Sequence, residues 1–513
     1  ARKAIGLQPH SATHPTVTPA KAGVQRPCSA RIHAARKAIG LQPHSATHPT
    51  ITPAKAGVQR LCAARIHSAR KATGLQPHSA NHPTVTVTPA KAGVQRLCSA
   101  RTRAQAKPLD SCLRRSDGCV STGDLTVSPD FDQPIDRSGT HALKFEGCLQ
   151  KFGRADVQPM WIADMDFAAP TCVSEALLAR ARHPIYGYTQ YPDSLCQSLV
   201  DWCARRHRWQ AERDWLVPAS GVFASLSAAV QACTAAGDAV IVQPPVYHGF
   251  RGAVEGCGRR LLHNPLRETD GRYAMDFAQL EQCARSGART LLLCNPHNPV
   301  GRAWTPDELA EVLRIARRHD LTVISDEVHG DLPLSGARHH PLPGLAQPGD
   351  RVVALLSPSK TFNLQGLGLA VLAAPRADLR DALHTTVASL HLGDANPFAV
   401  AAAEAAWRHG DDWLDALLAY LAGTRDLVAD HLRTRIPSIR LTPPEAGYLL
   451  WLDCRALDLD DAALRDFFVH RCKLGLNPGP DFGPGGSGFM RMNIGTPRRN
   501  VEAALDAIEA ALG

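Results

Sequence analysis

From about residue 216 onward, short apolar runs alternate with amphipathic stretches. The runs at 238–243 (Asp-Ala-Val-Ile-Val-Gln), 289–294 (Arg-Thr-Leu-Leu-Leu-Cys), 321–325 (Leu-Thr-Val-Ile-Ser) and 352–357 (Val-Val-Ala-Leu-Leu-Ser) are nearly continuous, which predicts strands buried on both faces. Between them lie helical patterns. The clearest follows Thr305-Pro306-Asp307-Glu308: Thr305 suits the N-cap, Pro306 the first helical position, and Glu308 completes a capping box. Leu309, Val312, Leu313 and Ala316 then fall on one face. The alternation implies an α/β unit with a mainly parallel sheet, and ligands of such sheets sit at the carboxyl ends of the strands. After about residue 400 the pattern changes to long Ala/Leu-rich helices, then short strands at 448–452 and 489–494, then a final helix from about Asn500. This predicts a smaller α+β domain over 401–513, onto which the segment 125–170 packs as its amino-terminal part, with the larger domain over 171–400.

Residues 1–124 belong to none of this. Ala-Arg-Lys-Ala-Ile-Gly-Leu-Gln-Pro-His occurs at Ala1 and Ala35, with a near copy at Ala69, a spacing of 34 residues. Helical-hairpin solenoids share that period. Here, however, prolines such as Pro9, Pro15 and Pro19 recur in every unit and would break a helix pair. No 7–15-residue apolar stretch marks a secretory signal, and a transit peptide has no reason to recur. With no aromatics, a basic arm would lack a stacking platform for bases. The repeats read either as translated intergenic sequence or as a disordered extension. They also distort the charge. The chain carries 57 basic and 48 acidic residues, but 19 of the former and only 3 of the latter precede residue 125, so 125–513 is mildly acidic, at 38 − 45 = −7. That argues against nucleic acid as the main partner of the globular part. No apolar run reaches the roughly 18 residues of a membrane span. Cysteines are scattered singly, without paired Cys-x-x-Cys spacing, which favours buried free thiols in a cytoplasmic protein and gives no metal site.

The candidate chemistry lies at strand ends. Ser357-Pro-Ser-Lys360-Thr-Phe-Asn363 follows one run, and Ser325-Asp326-Glu327-Val328-His329 closes another. Asn295-Pro-His-Asn298-Pro-Val-Gly301 follows a third and Gln243-Pro-Pro-Val-Tyr247 a fourth. Ala219-Ser-Gly221-Val222-Phe223 precedes an apolar helix whose amino terminus could present backbone N–H groups to a phosphate. Taken singly, Lys360 reads as a surface lysine in a turn, Asp326 as a helix N-cap, Tyr247 as core and Arg491 as an ion-pair partner. Together they place an amine, an acid, an amide and an aromatic ring around one crevice. Asp164 and Asp166 read as capping or solvent-facing groups near it, without a catalytic role.

In this order, the motifs resemble those of fold-type I pyridoxal-phosphate (PLP) enzymes of the class I/II aminotransferase superfamily over about 125–513. With Met160-Trp-Ile-Ala-Asp-Met-Asp-Phe167 and Tyr186-Gly-Tyr188-Thr189 they are similar to the MalY/PatB group of cysteine-sulfur β-lyases. The resemblance implies that 171–400 binds PLP and that Lys360 carries it as an imine, then acts as the base once substrate displaces it. It implies that Asp326 faces the pyridine nitrogen and keeps it protonated, that Asn298 donates to the phenolate oxygen, and that Tyr247 stacks on the ring. Gly221, Val222, Phe223 and Ser357 would hold the phosphate, with His329 also in the cofactor site. Tyr188 would reach the phosphate of a second subunit in a homodimer, and Arg491 would clamp the carboxylate of a small sulfur amino acid. Two departures from ordinary aminotransferases favour a lyase: His329 stands where a Tyr is usual, and Gly368 where a phosphate-binding Arg is frequent. Homocysteine release from cystathionine would place such an enzyme in methionine synthesis. The alternatives are a transaminase and, in another class, a non-catalytic regulatory binding protein.

Overall fold

Seven strands form one sheet in the computed structural model, which describes residues 129–334 and 336–513; the repeat region read over 1–124 lies outside the described residues. The strands are β1 (Leu216–Ser220), β2 (Ala239–Val242), β3 (Arg260–His263), β4 (Thr290–Cys294), β5 (Thr322–Asp326), β6 (Val352–Leu356) and β7 (Leu369–Ala373). Their order is β1-β7-β6-β5-β4-β2-β3, and β7 alone runs antiparallel to its neighbours. Every residue of β4 and β5 is buried, as their unbroken apolar runs require. β5 runs one residue further than its apolar run, because Asp326 still pairs in register with Cys294 on one side and Leu355 on the other. Its carboxylate is therefore held on the last rung of the ladder, and no helix begins there for it to cap.

Helix α1 (Val222–Cys233) follows β1 directly; α2 (Pro306–His319) has the expected capping box, with Glu308 N–H donating to Thr305 Oγ1 at 3.2 Å and Thr305 N–H to Glu308 Oε2 at 2.9 Å. Lys360 sits in a one-turn helix, α3 (Ser359–Phe362), rather than an open turn; Asn363 ends it with φ +60°, a left-handed conformation Asn tolerates. Helices α4 (Pro397–His409) and α5 (Asp411–Arg435) are the long helices expected after residue 400, and α6 (Arg498–Leu512) closes the described chain. No helix among the described residues is long and apolar enough to cross a membrane.

A second, antiparallel sheet contains β8 (Arg440–Leu441), β9 (Leu449–Asp453), β10 (Asn477–Pro478) and β11 (Phe489–Asn493) in the order β8-β9-β11-β10. The early segment packs beside it: Gln158–Pro159 pairs in parallel with Leu474–Gly475, over a small core of Cys148, Phe152, Val157 and Val469. A side chain at Gly475 would meet the Phe152 ring at 2.6 Å, so this close approach needs glycine.

Candidate active site

The loops after β2 and β6 bring Tyr247 and Lys360 to a cavity of about 780 Å³, also walled by Trp161, Asp164, Asn477 and Arg491. Lys360 is partly buried and lines this cavity. Burial, with Arg491 adding to it and Asp164 and Asp326 opposing, draws the Lys360 pKa down to about 8. Its Nζ donates to the Ala163 carbonyl oxygen at 2.7 Å, which also accepts from Tyr448 Oη at 3.0 Å and Gln365 Nε2 at 3.1 Å.

Asp326 is 5% exposed. Burial pushes its pKa up to about 6, opposed by the Val328 N–H, which donates to Oδ1 at 3.3 Å, and by Lys360. Among the described residues no cation forms an ion pair with it. A buried carboxylate without a cationic partner is costly, and a protonated ring nitrogen is the partner it fits.

Arg491 is buried on β11. Its Nη1 donates to Asn298 Oδ1 at 3.1 Å, and its Nη2 donates to the Trp161 carbonyl oxygen at 2.8 Å and Asn477 Oδ1 at 2.9 Å. Its Nε–H has no acceptor and is itself out of reach of solvent; the guanidinium lines the cavity as a buried cation with no carboxylate partner among the described residues. With its oxygen engaged by Arg491, Asn298 keeps its NH2 group to donate. Tyr247 is half-buried, and burial raises its pKa. Its ring covers Gly249, where a Cβ would come within 2.2 Å of it. His329 is buried, and its ring centroid lies 6.2 Å from that of Tyr448.

At the β1–α1 junction, Gly221 takes φ +78°, and a Cβ there would meet nothing within 4 Å. Gly221, expected to help hold a phosphate, has its own N–H bonded to the Gly368 carbonyl oxygen at 3.0 Å. The first-turn N–H groups of Val222 and Phe223, which have no helical partner, remain. Ser357 Oγ donates to the Leu369 carbonyl oxygen at 2.7 Å and lies 2.9 Å from Ser359 Oγ, so Ser359 joins the polar groups of this corner. Tyr188 is 105% exposed and takes no part in the cavity walls of its own chain.

Asp164 and Asp166 are not solvent-facing caps. Arg137 bonds both at 2.9 Å, and Lys144, itself fully buried, bonds Asp166 Oδ2 at 2.7 Å. The loop 160–167 that carries them is clamped twice. Asn493 Nδ2 donates to the Ile162 and Asp164 carbonyl oxygens, each at 2.7 Å; Asn363 accepts from Met165 N–H at 2.9 Å and donates to the Met165 carbonyl oxygen at 2.8 Å. Behind the site, Asp331 accepts from Trp202 Nε1 at 2.9 Å, His207 Nε2 at 2.6 Å and Thr361 Oγ1 at 2.7 Å. The task of Asn363 and of the 160–167 motif is not legible in the sequence, and Asp331, Tyr448, Gln365 and Asn477 carry no local signal for theirs. Only the nearness of Thr361 to Lys360 and of Asp331 to Asp326 in the chain could have pointed to that pair.

The family model for class I and II aminotransferases matches residues 161–508. The chain is 41% identical over 384 residues to the cystathionine beta-lyase PatB of Bacillus subtilis, covering 74% of this chain and 99% of that protein. It is 32% identical over 386 residues to the protein MalY of Escherichia coli, covering 75% and 98%. The PLP-bound C-S lyase from Staphylococcus hominis superposes with a TM-score of 0.72 at 30% identity, covering 76% of this chain and 100% of that one.

Proposed function

Since the chain belongs to the class I and II aminotransferase family, we propose that it is a PLP-dependent carbon–sulfur β-lyase that converts cysteine S-conjugates such as cystathionine, with water, into a thiol, pyruvate and ammonia. The single observation that carries the cofactor reading is the Asp326 carboxylate, buried without an ion pair and close enough to Lys360 for each to shift the other's proton affinity. The lyase reading is supported by the relatives named as cystathionine beta-lyase and C-S lyase, and by His329 and Gly368 at the two departures from ordinary aminotransferases.

Bound at this site, PLP supplies an electron sink for the pair left at Cα when its proton is removed. The rest of the chemistry belongs to side chains. Arg491, a buried guanidinium in the cavity wall with no carboxylate partner among the described residues, takes the substrate α-carboxylate. The Asn298 NH2 group, left free to donate by the bond of its oxygen to Arg491, would hold the ring oxygen, and Asp326 the ring nitrogen. Tyr247 would cover the ring face. Val222 and Phe223 N–H groups, with the Ser357–Ser359 pair, would hold the phosphate. The Lys360 amine is drawn down to about 8 by its surroundings, so a useful neutral fraction exists near neutrality to take the Cα proton. The Cβ–S bond then breaks with both electrons leaving on sulfur, as a thiolate whose thiol has a pKa near 8.5. The enamine left behind is hydrolysed to pyruvate and ammonia.

We also propose a homodimer in which Tyr188 completes the partner's phosphate site; an exposed run containing Ile185, Tyr186 and Tyr188 supports it. The reading is tested by incubating the PLP-loaded enzyme with L-cystathionine without any 2-oxo acid. Sustained pyruvate release is expected. Absence of pyruvate, together with conversion to the pyridoxamine form of the cofactor, would establish a transaminase instead.

A further inference from the structure

The outer part of the cavity differs in chemistry from its floor. Around the mouth stand Lys151, His248, Arg251 and Asp481, whereas Lys360 and Arg491 lie within. Arg251 pairs with Glu255 at 2.9 Å on the outer surface, its side chain 74% exposed. Lys151 and Asp481 face each other across the mouth from opposite ends of the described chain: Lys151 on the helix Cys148–Phe152, Asp481 on the turn Gly479–Phe482. Their Nζ–Oδ2 separation is 3.4 Å, and each side chain is 37% exposed. An ion pair this long and this wet contributes little by itself, so opening it costs little. Lys151 also lies 5.9 Å from the centroid of the Trp161 ring, whose backbone carbonyl binds Arg491. Burial lowers the pKa of both His248 and Arg491, and Asp481 is near enough to oppose that shift at each. The mouth therefore offers a cation and an anion weakly held to each other, in the same cavity that holds Lys360 and Arg491.

A simple S-alkyl group has nothing to offer either charge. A second α-amino acid head carries both complements, a carboxylate for Lys151 and an ammonium for Asp481. We infer that Lys151 and Asp481 form a distal subsite that opens to exchange partners with a zwitterion, making the enzyme selective for cysteine S-conjugates whose leaving sulfur bears a second amino-acid head, as in cystathionine. The inference rests on the β-lyase reading above and specifies its substrate class.

The test measures kcat/KM for pyruvate release by the PLP-loaded enzyme on four substrates: L-cystathionine, S-methyl-L-cysteine, S-(2-aminoethyl)-L-cysteine and S-(2-carboxyethyl)-L-cysteine. Lys151→Met should lower the cystathionine to S-methylcysteine ratio about fivefold, the order expected of one partly exposed charge contact. It should penalise the carboxyethyl substrate and spare the aminoethyl one relative to S-methylcysteine; Asp481→Asn should do the reverse. Ratios that stay within twofold of wild type in both variants, or parallel losses on all four substrates, overturn the subsite. A wild-type enzyme that makes no pyruvate from any of the four defeats the β-lyase reading instead, so the two failures are distinguishable.

Discussion

Thr361 Oγ1 donates to Asp331 Oδ2 at 2.7 Å, joining the residue next to Lys360 to the loop that begins at Asp326. Burial pushes the Asp331 pKa up, but bonds from His207, Thr361 and Trp202 overcome it and hold the carboxyl below its ordinary value. The carboxylate is thus a three-donor hub between the strand-end loop, α3 and the helix Asp193–His207. Asp331→Ala would strand those donors in a buried site, at a cost of roughly 3–5 kcal/mol, the range for breaking a buried pair. Thermal unfolding should show a large drop in midpoint, with Asp331→Asn recovering part of it. Equal midpoints for wild type and Asp331→Ala would remove the hub from the account.

Lys360 and Asp326 should separate by what each substitution spares. In Lys360→Ala, borohydride should no longer fix the cofactor to the chain, and pyruvate release should fall by at least roughly 10²–10⁴-fold, the range for a positioned acid–base group. Asp326→Asn keeps the amine but removes the charge facing the ring nitrogen. It should still be fixed by borohydride, while kcat falls roughly 10–100-fold, equivalent to losing a charge-assisted bond of about 1.5–3 kcal/mol. Full activity in Asp326→Asn would disprove the assigned role.

Arg491→Lys keeps one positive charge but not the planar fork that bonds Asn298, Asn477 and the Trp161 carbonyl at once. KM for the amino acid should rise roughly 10–100-fold, on the same energy scale, with a smaller change in kcat. A change confined to kcat would show that this guanidinium does not grip the substrate.

The pH dependence of stability has a definite sign in the cofactor-free protein. Burial, with Lys360 and Arg491 close by, draws His329 down to about 3; burial also draws His297 down to about 4, against its bond to the Pro245 carbonyl oxygen. The unfolded chain protonates both near pH 6.5. Their contribution is therefore present above that pH and lost as pH falls toward 4, by roughly 2 kcal/mol each at pH 5. Asp326 acts the other way: pushed up to about 6 by burial, it takes up its proton in the folded state first and adds stability as pH falls from 6 to about 4. Two histidines outweigh one aspartate, so the urea midpoint should drop between pH 7 and pH 5. His329→Gln, with no proton to gain, should drop less; identical pH profiles for variant and wild type would contradict the argument.

Much of the site was legible along the chain because its residues mark local events. Apolar runs stop where strands stop, and Asp326 and Ser357 stand at those stops. The capping box at Thr305 was readable for the same reason: all its partners lie within one turn. The sequence marks Gly221 as the turn after a strand, but not that its N–H bonds Gly368, which lies opposite it across the β1–β7 ladder and 147 positions on in the chain.

Period and punctuation along the chain were enough to set the α/β class, the parallel core strands and the order of polar groups at their ends, because each depends on interactions within a few residues. Pairing across the fold was another matter. Arg491 meets the Trp161 carbonyl from 330 positions away and Lys360 meets that of Ala163 from 197. Asp164 and Asp166 were mistaken for exposed groups because their partners, Arg137 and Lys144, lie more than a turn distant, on a segment without a readable period. Which charge neutralises which, and which carbonyl receives the lysine, follows from how the β11 sheet and the 160–167 loop close over the strand ends, a relationship that no local pattern encodes.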